Sequence, residues 1–93
     1  MYKFVRLLNK RYDGYINREV ELECTVSSGR AQVIWMKGDK VLKDGDEYEI
    51  SKDATGVCRL VIKKAKQSDS GKYSCKLEKQ DDKTETQLTC VGK

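Results

Sequence analysis

Apolar and polar residues alternate along most of this chain with a period of two, a pattern that predicts strands rather than helices. The clearest case is the segment 19–26, where Val20, Leu22, Cys24 and Val26 fall on one face. Three glutamates and a threonine occupy the other face. A strand that alternates in this way is half buried, with one face toward the core and a charged face toward solvent.

The same pattern predicts further strands, each bounded by Gly, Asp, Asn or Ser. They cover residues 3–8, 12–16, 31–37, 41–42, 48–50, 58–63, 71–79 and 84–91. Strands therefore recur about every 8–12 residues. No segment shows helical periodicity, and no internal repeat is present. This spacing predicts an all-β sandwich of two sheets.

The stretch from Asp69 to Cys75 predicts a tight corner that leads into a central strand. The Asp69 carboxylate can accept hydrogen bonds from nearby backbone N–H groups, and Gly71 allows backbone angles that a Cβ forbids. Tyr73 and Cys75 then share one face of the strand. A tyrosine placed two residues before a cysteine in such a corner is expected to donate its hydroxyl to the backbone upstream.

These residues resemble an immunoglobulin domain of the intermediate set, and the chain is most similar to the modules of giant muscle proteins such as titin, obscurin and twitchin. The resemblance covers nearly the whole chain. It implies an immunoglobulin-like, two-sheet Greek-key sandwich. The residues that carry it are Cys24, Trp35, Tyr48, Leu60, Ile62, Asp69, Gly71, Tyr73 and Cys75.

The resemblance also implies roles for the core residues. Cys24 and Cys75 are expected on facing sheets against Trp35, with Leu60 and Tyr73 completing the core. In an oxidising compartment the two cysteines would form a disulfide, whereas in the cytosol they would remain reduced and pack as small apolar side chains. Glu47 stands where related modules often carry an arginine, so Asp69 is expected to serve the turn alone.

Cys58 and Cys90 are interpreted as two further buried thiols. In this topology their strands run the same way, so the start of one and the end of the other lie at opposite ends of the domain. A disulfide needs Cα atoms within about 7 Å, which disfavours a bond between these two residues. A sharper alternative is a redox-sensitive mechanical domain whose buried thiols react once force opens it.

Composition narrows the function classes. The formal net charge is +4, from 19 Lys and Arg against 15 Asp and Glu, and the interleaved signs indicate solubility rather than a nucleic-acid footprint. The lysines at 63, 64 and 66 are interpreted as solvated surface, because no aromatic residues lie among them to stack bases. No apolar run is long enough to cross a membrane. The chain has no histidine, so we predict no enzyme, metal, cofactor or small-molecule site.

The resemblance implies a structural function. Residues 1–93 are interpreted as one immunoglobulin-like domain excised from a multidomain chain, acting as a tension-bearing spacer and protein-binding surface in a cytoplasmic, sarcomeric or cytoskeletal protein. Its partners would be other protein domains, including neighbours in the same chain. The alternative is an extracellular adhesion or receptor domain that binds a protein ligand and requires a Cys24–Cys75 disulfide. A regulatory module beside a cytosolic kinase fits the same fold.

The expected mechanical element is the segment 12–16, which the resemblance pairs in parallel with the last strand, 84–91. Pulling on the chain ends would then shear the hydrogen bonds of this pair together rather than break them one by one. A proline at Tyr15 or Val91 removes a backbone donor. We therefore expect either substitution to lower the unfolding force.

Overall fold

The computed structural model describes residues 1–92, which form nine β-strands and a one-turn 3₁₀ helix, Gln67–Asp69. The all-β architecture predicted from the alternation is confirmed. The strands are β1 Phe4–Arg6, β2 Arg11–Tyr15, β3 Val20–Val26, β4 Val33–Lys37, β5 Lys40–Val41, β6 Tyr48–Lys52, β7 Val57–Ile62, β8 Gly71–Leu77 and β9 Lys83–Val91.

The strands are arranged in two sheets. The first sheet has the order β1-β3-β7-β6 and the second has the order β2-β9-β8-β4-β5. All neighbouring pairs are antiparallel except β2 and β9, which run in parallel. The chain therefore begins in one sheet and crosses to the other before returning to the first at β3, so the strands predicted at 3–8 and 12–16 lie in different sheets.

The crossing between β1 and β2 is fixed at Leu8. Its side chain is buried, and its N–H donates to the Thr84 hydroxyl at 3.0 Å. Because this hydroxyl supplies the acceptor that a strand partner would otherwise provide, the backbone can leave the first sheet without burying an unpaired donor.

The core is built from the inward residues of both sheets. Leu22 and Leu60 face each other across β3 and β7 and are fully buried. Full burial of a leucine side chain contributes about 1.5–3 kcal/mol. The other buried apolar residues are Leu8, Val20, Cys24, Val26, Ala31, Trp35, Leu42, Cys58, Ile62, Ala65, Tyr73, Cys75, Leu77, Leu88 and Cys90.

Several predicted strands are shorter than expected, and turn hydrogen bonds end two of them. β8 stops at Leu77, whose C=O accepts from the Gln80 N–H at 3.2 Å. β4 starts at Val33 because the preceding residues turn, with Ala31 N–H donating to Ser28 C=O at 3.1 Å. In both cases the i to i+3 bond closes a turn that an extended strand cannot contain.

Candidate functional site

The corner before β8 holds the predicted tyrosine interaction. The Tyr73 hydroxyl donates to the backbone C=O of Asp69 at 2.6 Å, and both residues are buried. The Asp69 carboxylate accepts from the Lys66 N–H at 2.8 Å, which closes the 3₁₀ turn. Gly71 follows with φ +147°, a backbone angle that favours glycine. Asp69, Gly71 and Tyr73 thus each have a defined role in one turn.

Within residues 1–92 no salt bridge reaches Asp69, and Glu47 instead lies 3.8 Å from the Lys66 ammonium. Lys37 also reaches the corner from β4. Its ammonium donates to the Ser68 C=O and lies 5.9 Å from the centre of the Tyr73 ring. This position combines a hydrogen bond with a cation–π contact, so Lys37 helps to hold the corner against β4.

The core residues named from the sequence lie in the two facing sheets. Trp35 is in register with Cys75 in the second sheet, and Cys24 lies in β3 of the first. Trp35 is 1% exposed, and Cys24, Leu60 and Cys75 are fully buried. The Trp35 Nε1 has no hydrogen-bond partner among residues 1–92. Trp35 therefore stabilises the core through its apolar contacts.

Three of the four cysteines cluster in the core, and all four carry free thiols. Cys58 lies directly opposite Cys24 on neighbouring strands. Its thiol interacts with that of Cys24 and, together with burial, raises the pKa of Cys24 to about 12. The interaction with Cys24, again with burial, also raises the pKa of Cys75. Both residues are consequently protonated thiols at neutral pH, which makes them poor nucleophiles in the folded state.

Cys90 lies elsewhere. Its N–H donates to the Ser70 hydroxyl at 2.9 Å, and its sulfur approaches Gly14, which also touches Val20. Val20 and Cys24 are four residues apart on β3, about 13 Å at strand spacing. Because Cys58 sits beside Cys24, Cys90 is far beyond disulfide reach of Cys58. Burial also raises the pKa of Cys90.

The terminal strand pair is the second feature of the site. The parallel register joins Arg11 with Gln87 and continues to Tyr15 with Val91. Gln87 N–H donates to Lys10 C=O at 3.4 Å at one end, and Ile16 N–H donates to Val91 C=O at 2.9 Å at the other. Since alternate residues of a strand face the same neighbour, the even-numbered residues of this segment make the ladder with β9.

This register corrects one sequence-based expectation. The N–H and C=O of Tyr15 point away from β9, and its C=O accepts from Arg18 N–H at 3.1 Å. A proline at Tyr15 therefore removes no hydrogen bond from the terminal pair. At this end of the pair, the donors that a proline can remove are those of Ile16 on one strand and Val91 on the other. The alternation in the sequence could not identify these donors, because it does not fix which edge of β2 faces β9.

At Gly14, β2 packs closely against the first sheet. A Cβ at this position would lie 2.5 Å from a methyl carbon of Val20 and 3.7 Å from the Cys90 sulfur. Because real Cβ atoms do not approach other carbons so closely, only glycine lets the two sheets meet here. The sequence analysis noted Gly14 only as the centre of a short segment.

Several buried or bridging contacts had no clear signal in the sequence. Thr84 and Thr86 are buried on the inner face of β9. The one sequence signal for their burial is that they share the alternation phase of Leu88. The Lys52 ammonium donates to the C=O groups of Gly29 and Ala31, each at 2.5 Å. Such contacts join residues that are distant in sequence, so no local pattern predicts them.

Residues 1–92 contain no group of three His, Cys, Asp or Glu side chains placed to hold a metal ion. No helix in that part of the chain is both long and apolar enough to span a bilayer.

Comparison with curated proteins finds similar segments in muscle proteins. The chain is 37% identical over 59 residues to the muscle M-line assembly protein unc-89 of Caenorhabditis elegans, an alignment that covers 62% of this chain and 1% of that protein. It is 39% identical over 44 residues to smooth-muscle myosin light chain kinase of Gallus gallus, which covers 47% of this chain and 2% of that protein. The chain therefore spans a very small part of either relative.

Solved structures share the fold. Titin domain M7 superposes with a TM-score of 0.85 at 24% identity, covering 96% of this chain and 92% of that one. A chain from the complex of titin M10 with an obscurin-like 1 immunoglobulin domain superposes with a TM-score of 0.86 at 21% identity, covering 99% and 95%. The sequence model of the immunoglobulin I-set domain matches residues 2–90. This chain belongs to the immunoglobulin I-set family.

Proposed function

We propose that this domain is a structural, tension-bearing and protein-binding module of a cytoplasmic giant protein of the sarcomere or cytoskeleton. The observation that carries the proposal is the parallel pairing of β2 with β9. The similarity to muscle proteins supports the cellular setting. The module would act as one stiff link among neighbouring domains of the same chain.

The geometry of the terminal pair supports resistance to tension. The domain is elongated, with principal extents of 42 × 21 × 20 Å. Because β2 and β9 run in parallel, tension on the N-terminal side of β2 and the C-terminal side of β9 draws the strands past each other. All rungs of the ladder, from Lys10–Gln87 to Ile16–Val91, then carry load at the same time. Simultaneous rupture of several hydrogen bonds requires more force than sequential rupture.

The contacts upstream of β2 support the same interpretation. Lys3 C=O accepts from Ser27 N–H at 2.8 Å, and Lys3 N–H donates to the Ser27 hydroxyl at 3.1 Å. Leu8 is then anchored to Thr84 before β2 begins. Tension entering from the N-terminal side must detach β1 before it reaches the parallel pair.

A change of pulling direction tests the proposal without mutation of the ladder. One handle is placed at the exposed side chain of Arg18, just after β2, and the other at the C-terminus. For parallel strands this arrangement opens the pair from one end, rung by rung. We expect a much lower unfolding force than for pulling through both termini in a single-molecule stretch. Equal forces in the two directions would contradict a shear-resistant role for β2 and β9.

A further inference from the structure

Asp69 carries a buried negative charge that has no cationic partner in residues 1–92. The residue is 6% exposed, and no salt bridge reaches it in that part of the chain. The Lys66 N–H donates to its Oδ2 at 2.8 Å, whereas no group there donates to Oδ1. Burial of a charged carboxylate is costly unless a cation pairs with it. The turn thus uses only one of the two carboxylate oxygens.

The charge of Asp69 acts on the side chains around it. Burial raises the pKa of Tyr48 and that of Cys90, and in both cases the negative charge of Asp69 is the second cause. Burial also raises the pKa of Tyr73, and the charges of Tyr48 and Asp69 add to this rise. A carboxylate that perturbs several neighbours in this way still attracts a positive group.

A cavity of about 330 Å³ is lined by Asp69 together with an apolar floor and an acidic rim. The floor includes the buried side chain of Ile62, and the rim includes the exposed carboxylates of Asp46 and Glu47. The Asp69 Oδ1 has no donor among residues 1–92, yet it is not fully enclosed, so it contacts this cavity. The volume lies at the lower end of the range for ligand sites.

Three lysines, at positions 63, 64 and 66, also line the cavity, and all three are exposed. The Lys63 ammonium donates to Gly45 C=O at 2.8 Å, and the Lys66 ammonium lies 3.8 Å from the Glu47 carboxylate. Exposed ammonium groups keep their water, whereas the carboxylate of Asp69 has lost most of its own. The cavity therefore favours a cation, although lysines stand on its rim.

We propose that this cavity binds the guanidinium group of an arginine on a neighbouring protein domain. Residues 1–92 contain no group of three His, Cys, Asp or Glu side chains placed to hold an inorganic cation. A guanidinium group is less strongly hydrated than an ammonium and can donate to two carboxylates at once. Asp69 supplies one carboxylate inside the cavity, and Glu47 supplies another on its rim. The apolar stem of the arginine packs on Ile62.

The position of the cavity indicates which neighbour supplies the arginine. Ile16 N–H donates to Val91 C=O, and Cys90 N–H donates to the Ser70 hydroxyl. Asn17, which follows Ile16, lines the cavity. The cavity therefore lies at the end of the sandwich where β9 ends, and a domain that follows β9 faces it. This contact rests on the protein-binding part of the proposed function, in which the domain is one link among its neighbours.

The test uses the tripeptide Gly-Arg-Gly, acetylated and amidated, and follows the protein amides by NMR. At about 5 mM peptide, the scale of weak single-residue contacts, we expect shift changes at Asn17, Ile62 and Asp69. The matched control has citrulline in place of arginine, which keeps the shape without the charge and is expected to bind at least about fivefold more weakly. A lysine peptide is expected to bind at least about threefold more weakly than the arginine peptide. Free arginine should bind no more tightly than the blocked peptide.

Two variants test the carboxylate itself. Asp69→Asn removes the charge but keeps an oxygen for the Lys66 N–H, so peptide binding should fall about fivefold or more. Glu47→Arg places a guanidinium group at the cavity within the same chain. It should block the peptide and raise the urea midpoint of unfolding, and adding Asp69→Asn should cancel that rise. The matched control is Glu49→Arg, the same charge change at a residue that does not line the cavity, which should leave binding within about twofold.

The proposal is overturned if the citrulline or lysine peptide binds as well as the arginine peptide, or if free arginine binds more tightly. It is also overturned if the shifts map elsewhere, if neither Asp69→Asn nor Glu47→Arg weakens binding, or if about 20 mM peptide leaves these amides unchanged. The same shifts on concentrating the protein alone would assign the cavity to a second copy and would overturn the proposed neighbour. None of these results would alter the pulling-direction test.

Discussion

Ile16 donates its N–H to the C=O of Val91 at 2.9 Å, and this hydrogen bond is the last rung between the two terminal strands. The adjacent residue, Tyr15, turns its backbone groups to the other side, where its C=O accepts from Arg18. Neighbouring residues of β2 thus serve opposite edges. This alternation makes it possible to test the terminal pair by removing one donor at a time.

We expect Ile16→Pro to lower the force at which the domain unfolds in a single-molecule stretch, because it removes the terminal rung. Val91→Pro should act in the same way from the other strand. Tyr15→Pro is the matched control, since its N–H is not part of the ladder, and its unfolding force should stay close to wild type. If Tyr15→Pro weakens the domain as much as Ile16→Pro, the rungs do not determine its mechanical strength.

The corner before β8 gives a second prediction. Tyr73→Phe leaves the buried Asp69 C=O without its 2.6 Å partner, so the free energy of unfolding should fall by about 1–3 kcal/mol. Chemical denaturation measures this change. Tyr12→Phe is the control, because the Tyr12 hydroxyl makes only long contacts of 3.3–3.5 Å with the backbone. A larger loss for Tyr12→Phe than for Tyr73→Phe would contradict the assigned role of the corner.

Local patterns in the sequence were sufficient to locate the strands and the corner, whereas the Greek-key arrangement and the parallel terminal pair were implied only by the resemblance. Period-two alternation placed the strands, and the run from Asp69 to Cys75 placed the corner, because both depend on neighbouring residues. The sequence did not reveal that Cys58 lies opposite Cys24, since that contact depends on the register between β3 and β7. Register is set by the way whole strands pack, so single residues carry little information about it.

Whether the backbone groups of a sheet edge are free was still harder to predict from the sequence. Whether an edge is open depends on single side chains that fold back from other segments, such as Asp44, which accepts from Ile50 N–H, and Gln80, which accepts from Tyr2 N–H. Polar residues of these types are common in turns and loops, and nothing local marks the ones that cap a strand. The state of each edge therefore follows from the structure and not from the pattern of residues.

Alkaline titration provides a third prediction. Burial raises the pKa of Tyr73 above its ordinary value of 10.0, and the interaction with Cys58 raises that of Cys24 from 9.0 to about 12. The folded state thus keeps protons that the unfolded chain releases. The contribution of Cys24 is complete below pH 9 and is lost as the pH rises from 9 toward 12, whereas that of Tyr73 is complete below pH 10 and is lost as the pH rises above 10. Each loss amounts to about 1.4 kcal/mol per pH unit.

The measurement is urea denaturation at several pH values between 7.5 and 11 in the presence of reductant. Tyr73→Phe should reduce the slope of stability against pH above pH 10, because one of the raised groups is then absent. A free energy of unfolding that stays constant up to pH 11 would show that these groups ionise as readily in the folded state as in the unfolded chain.

Trp35 gives a fourth prediction. Its side chain is 1% exposed, so Trp35→Ala should leave a cavity and cost about 3–5 kcal/mol, a large part of the stability of a small domain. Trp35→Phe should cost less, because the indole N–H has no partner within residues 1–92 and the ring of Phe fills part of the space. Retention of a cooperative, near-wild-type melt in Trp35→Ala would contradict a central role for this residue.

The redox state of Cys24 and Cys75 separates the cytoplasmic proposal from the extracellular alternative. Native cells are lysed in acid and alkylated at once, and the peptides are identified by mass spectrometry. The cytoplasmic proposal predicts that both thiols are alkylated, since reducing compartments keep such cysteine pairs in the thiol form.

A purified sample oxidised in the laboratory is the positive control, and its linked form should gain about 4 kcal/mol of stability from loop closure. Because Cys90 lies at the far end of the domain from Cys58, it should remain unlinked in both samples. A Cys24–Cys75 bond in the native material would contradict a reduced cytoplasmic domain. It would leave either the extracellular alternative or a muscle module tuned by oxidation, and the flanking sequence would decide between these two.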